Sequence, residues 1–80
     1  MNNEQGLKVY RKLLYFKKNN LPIHFVLYTG GWKNGKITDL NEEKLTLVLK
    51  EFVEGMLPFL LEDIIPESIK EYKEKEEVRK

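Results

Sequence analysis

Residues 21–49 read LPIHFVLYTGGWKNGKITDLNEEKLTLVL, and no other stretch restricts the fold so tightly. Pro22 disfavours helical geometry at Leu21. The segment Ile-His-Phe-Val-Leu-Tyr-Thr that follows is rich in β-branched and aromatic residues, the composition of a strand. Alternation places Ile23, Phe25 and Leu27 on one face and His24, Val26 and Tyr28 on the other. Both faces are largely apolar, so both are expected to be covered. Gly30-Gly31 signals a turn, Asn34-Gly35 a second turn or bulge, and residues 36–40 a return strand. Trp32 lies between the two signals, either as a lid on the core or as a stacking platform.

Residues 41–61 admit two readings. Leu45, Val48, Leu49, Phe52, Val53 and Met56 fit a helical stripe with Asn41 as its cap, whereas alternation puts Leu45, Leu47 and Leu49 on one face of a strand. Gly55 and Pro58 decide between them. Inside a continuing helix they would cost about 1 and about 3 kcal/mol respectively. Strand, turn at Glu54-Gly55 and strand avoid both penalties. Residues 59–66 are expected to form a strand and then a bend or a short last strand. Ser68-Ile69-Lys70-Glu71 has capping-box spacing and predicts the start of a C-terminal helix, with Glu71 and Lys75 as an i,i+4 ion pair.

Ahead of the strands, residues 4–19 read as a helix capped by Asn3 and ended by Asn19-Asn20. Leu7, Tyr10, Leu13 and Leu14 share one face, widened by Val9 and Phe16. Arg11, Lys12, Lys17 and Lys18 supply the wet side, and the last two complement the helix dipole. The fold class expected is therefore mostly β with an N-terminal α-helix, built as a small five-stranded antiparallel barrel. Residues 1–66 form the domain and residues 67–80 a charged tail.

An 80-residue chain is one domain near the lower limit for a self-sufficient core. The absence of cysteine removes disulfides and thiolate metal sites, which leaves oligomerisation as the common remedy. No apolar run approaches the roughly 20 residues of a membrane span, and the polar start MNNEQG is unlike a secretory signal. The expected setting is cytoplasmic, without a membrane. Charge is uneven along the chain. Residues 1–40 carry seven Lys/Arg against Glu4 and Asp39, whereas residues 41–80 carry seven against eleven acids. The basic half can attract phosphate. His24 is the only histidine, so it lacks a partner for a metal site or a triad, and GGWKNG lacks the spacing of a phosphate loop. No enzyme and no cofactor are expected.

The run KKNNLPIHFVLYTGGWKNGKI, residues 17–37, resembles the corresponding segment of the Sm-like RNA-binding family, and within it the bacterial RNA chaperone Hfq. In that family a basic helix end leads to a hydrophobic-Pro-hydrophobic strand start. A turn glycine follows, then a second glycine five residues later, followed by one residue and then an aliphatic. Gly30, Gly35 and Ile37 keep this spacing. Leu40 and Asn41 stand at the apolar and Asp positions of the first Sm motif, and Leu45-Thr46-Leu47 matches its continuation. The resemblance implies an Sm-like barrel that assembles through its edge strands into a homo-oligomeric ring of six or seven subunits. It also implies RNA or other single-stranded nucleic acid as partner.

Carried over by position, the resemblance places RNA-backbone contacts at Lys17 and Lys18, extended along the helix by Lys8, Arg11 and Lys12. Asn41 and Thr46 are left to reach a base edge. Tyr10, Tyr15 or Trp32 would add stacking if exposed. The second Sm motif departs: Glu62-Asp63 stands where the family has a basic pair, and Glu42-Glu43 where it has a base-stacking residue. Carboxylates at a pore repel phosphate. The alternative is thus an Sm-like oligomeric scaffold or protein-interaction module without RNA.

Overall fold

The computed structural model describes residues 3–73; the rest of the charged tail, Lys75 of the expected ion pair included, lies outside the described residues. The chain runs as helix α1 (Asn3–Lys18) and strands β1 (Ile23–Val26), β2 (Trp32–Asn41), β3 (Thr46–Glu51) and β4 (Gly55–Leu60). Two 3-10 turns, Leu61–Asp63 and Pro66–Ser68, precede β5 (Lys70–Glu71). All strand pairs are antiparallel and the order across the sheet is β4-β3-β2-β1-β5. An N-terminal helix followed by a five-stranded antiparallel sheet is the expected class. The sheet, however, is not closed: β4 and β5 are its two edges.

The helix ends one residue earlier than expected, in a Schellman turn. Asn20 adopts φ +54°. Its N–H donates to the Lys17 carbonyl (3.2 Å), and that of Leu21 donates to the Phe16 carbonyl (2.9 Å). Asparagine tolerates the left-handed conformation, and Pro22 beyond it prevents the helix from resuming. Val9 and Leu13 project from α1 onto Ile23, Phe25, Leu47, Leu49, Leu61 and Ile64, all fully buried. Phe25 and Phe59 meet edge to face at 5.4 Å. The core thus lies between the helix and one face of the sheet, with the 61–64 turn closing one side.

Gly55 resolves the ambiguity of residues 41–61 in favour of strands. It has φ +88° and ends the three-residue turn between β3 and β4. Leu45, expected in the strand face with Leu47, instead occupies the preceding turn at φ +55°. Its side chain packs beside Gly6 of the helix, where an added Cβ would come within 2.8 Å of Leu45 Cδ1. Its carbonyl accepts the Leu61 N–H at 2.9 Å. Tertiary contacts on both sides therefore hold a leucine in a backbone region it seldom adopts.

Pro58 pairs with Val48 inside β4. Because the Leu61 N–H is directed at Leu45 on the β3 side, strand alternation turns the backbone groups of Met56, Pro58 and Leu60 to the free edge. The N–H that proline lacks is thus not missed by the ladder.

Ser68 does not cap a helix. Its hydroxyl donates to the Ile65 carbonyl (2.7 Å) and accepts the Val26 N–H (2.8 Å), so it fastens the Pro66–Ser68 turn along β1. Lys70 and Glu71 then pair with His24 and Ile23 as the short strand β5.

Glu51 is the one buried charged residue of the described chain. A single carboxylate oxygen accepts the N–H groups of Glu54 (2.6 Å) and Val53 (2.7 Å), which shapes the β3–β4 turn. The Glu54 and Val53 amides, in that order, lower its pKa from the ordinary 4.5; burial pushes it the other way, and the Asn34 amide and Lys33 add smaller downward effects. A depressed carboxylate stabilises the fold above its unfolded pKa, and that contribution fades as pH falls through the folded value. Acid titration of folding stability should therefore decline more steeply below about pH 4.5 for the native chain than for Glu51→Gln. Parallel acid limbs would disprove the assignment.

Candidate nucleic-acid interface

Five cations and one acid, Glu4, stand on α1. Lys8, Arg11, Tyr15 and Lys18 recur at helical spacing along the face opposite Val9 and Leu13, and Lys12 lies one turn from both Lys8 and Tyr15. All are exposed, and Tyr15 keeps 59% of its surface open in the middle of the charges. Its ring is braced edge to face by Phe16 at 5.2 Å.

Among the described residues, only Lys8 of these cations is in an ion pair, with Glu67 at 3.9 Å. Solvent-exposed pairs of that kind contribute little. Arg11, Lys12 and Lys18 therefore present their charge outward.

Lys17 is separate from this stripe. It continues the i+4 series Val9, Leu13, Lys17, which faces the core until the sheet ends, and so emerges on the other side of the helix. Asn41 and Thr46 are separate too. They form the cross-strand pair that closes the turn at residues 42–45, and the Asn41 side-chain oxygen accepts the Lys44 N–H at 2.8 Å. That turn meets α1 at Gly6, on its core side. The structure thus gathers Lys8, Arg11, Lys12 and Lys18 and leaves Lys17, Asn41 and Thr46 elsewhere. Glu42 and Glu43 are exposed in the same turn; Glu62 and Asp63 sit in the 3-10 turn after β4.

A second surface lies on the side of the sheet away from the helix. Lys36 and Lys50 are direct cross-strand partners, a like-charge placement that is unfavourable unless an anion relieves it. Beside them Phe52 and Tyr72 pack at 5.4 Å. His24 Nδ1 and Asn34 Oδ1 lie 2.7 Å apart, at hydrogen-bond distance. A cavity of about 490 Å³ is lined by His24, Asn34, Lys70 and Tyr72. Trp32 leans toward His24 at 6.3 Å and is 60% exposed, so it does not lid the core.

Lys36 and Lys50 escaped sequence reasoning because their opposition depends on strand register. Alternation outward from buried Leu49 and half-buried Ile37 is the signal that would have found them.

Among the described residues, no group of three His, Asp or Glu converges as metal ligands, and no helix is long and apolar enough to cross a membrane. Comparison of the chain with protein-family models, with curated proteins and with solved structures returned no match.

Proposed function

We propose that this chain is a ring-forming Sm-like protein that binds RNA, or single-stranded nucleic acid, through the basic outer face of α1. The observation that carries the reading is the stripe Lys8, Arg11, Lys12 and Lys18 around an exposed Tyr15. Such a stripe offers backbone neutralisation and a stacking ring in one place. The outer sheet face, with Lys36 opposite Lys50 beside the Phe52–Tyr72 pair, supports the same class of ligand.

The two open sheet edges support assembly. Met56 and Leu60 are 59% and 48% exposed along the open edge of β4, a surface that invites another strand. Pairing β4 of one copy with the β5 edge of the next would extend the sheet around a ring and repeat the cationic stripe once per subunit. Repetition turns weak contacts into avidity. The acidic residues Glu42, Glu43, Glu62 and Asp63 favour the alternative of an oligomeric scaffold that has lost RNA.

Two measurements separate these readings. Light scattering should give a mass several times that of the 9.5 kDa chain, and a lone subunit at high concentration would remove the ring. Binding of mixed-sequence RNA should weaken steeply with salt, by about 0.7 log units per contacted phosphate for each tenfold rise. An assembled ring with no RNA binding at low salt would leave the scaffold.

A further inference from the structure

We propose that the groove between the N-terminal half of α1 and the turn after β1 is a guanine-selective nucleotide pocket. The inference rests on the helix-face reading above and names one base it would select. The groove is open to solvent and offers about 560 Å³, within the size range of small-ligand sites. Three kinds of group line it.

Tyr28 is 56% exposed, and its backbone is anchored by an N–H bond to the Asp63 carbonyl at 2.9 Å. It is a half-exposed aromatic ring on an anchored turn, at the rim of the groove. Leu7 and Pro66 supply apolar wall.

The polar groups give the specificity. Among the described residues Glu67 pairs with the exposed Lys8 ammonium alone, at 3.9 Å, and its side chain is 75% accessible. A ligand with better-placed donors can therefore take the carboxylate. Guanine alone among the four RNA bases presents two adjacent donors, the N1–H and the 2-amino group, which match the two oxygens of a carboxylate. Adenine and cytosine set one amino group beside a ring acceptor that a carboxylate repels. Uracil sets one N–H between two carbonyls. Arg11, also in the lining, offers a planar fork for the phosphate.

The test titrates the full chain at low salt with GMP, AMP, UMP and inorganic phosphate, followed by calorimetry or amide chemical shifts. GMP should bind about tenfold or more tighter than AMP or UMP. Glu67→Gln should erase that preference, because an amide offers one acceptor only. Tyr28→Ala should weaken all three nucleotides alike. Equal affinities, phosphate binding as tight as GMP, or no saturation by about 10 mM GMP would overturn the pocket. Mixed-sequence RNA is titrated in parallel. RNA binding without guanine selectivity removes the pocket alone, whereas loss of all binding removes the helix-face reading with it.

Discussion

Replacing Gly35 by alanine is expected to destabilise the fold by about 3 kcal/mol, the upper end of ordinary overpacking costs. Gly35 sits in the middle of β2, buried, between Glu51 of β3 and Ile23 of β1. A Cβ there would press into the Lys50 carbonyl oxygen and lie 2.8 Å from Glu51 Cα. Both obstacles are backbone, so no side chain can swing aside, and β2 and β3 must separate. Separation disturbs the ladder that carries Leu47 and Leu49 into the core. It also moves Glu51, whose carboxylate shapes the next turn.

With a urea m-value of about 1 kcal/mol/M for a domain of this size, the midpoint should fall by about 3 M. Gly30→Ala is the control. Gly30 has φ +103° with nothing within 4 Å of an added Cβ, so it pays only for backbone strain, about 1 kcal/mol. If Gly35→Ala costs no more than Gly30→Ala, the close approach of β2 and β3 is wrong.

Gly35 also illustrates how far the sequence could be read. Its neighbourhood suggests a turn or bulge, because Asn-Gly is a turn dipeptide. The residue is instead needed for lack of bulk, where two strands come together, and only the register reveals that requirement. Local chemistry carried the helix, β1 and the β3–β4 turn. Pro22, Asn20 and Gly55 each act on the backbone next to them.

Long-range partners decided the rest. Ser68 has cap spacing, yet its hydroxyl is taken by Val26 and Ile65. Leu45 is drawn out of the strand face by Gly6 and Leu61. Thr38 marks the irregularity between β2 and β3, where its hydroxyl donates to the Val48 carbonyl at 3.0 Å. The candidate site divides in the same manner. Composition found the cations of α1, and helical phase sorted them, with Lys17 on the core-facing series. No spacing could show that Asn41 spends its side-chain oxygen on its own turn.

Exchanging Arg11, Lys12 and Lys18 together for glutamate should weaken RNA binding at low salt by about 10³-fold, the largest functional effect expected. Removing three phosphate contacts lowers the salt slope by about 2, at roughly 0.7 per contact for single strands. Three carboxylates in their place add repulsion within a Debye length of the backbone. All three side chains are exposed, so the core is untouched. The new acids near the helix C-terminus should cost less than about 1 kcal/mol, and far-UV circular dichroism would confirm the helix.

Lys17→Glu and Lys18→Glu make the decisive comparison, since they change net charge equally from adjacent positions. Lys18 belongs to the outer stripe and its exchange should weaken binding about tenfold. Lys17, on the other side of the helix, should change it by no more than about threefold, through screened long-range field alone. Equal effects would mean that RNA responds to total charge and not to a surface defined by the helix. An unchanged affinity in the triple variant would remove the outer face of α1 as the binding surface and leave the outer sheet face, with Lys36 opposite Lys50, to hold the RNA.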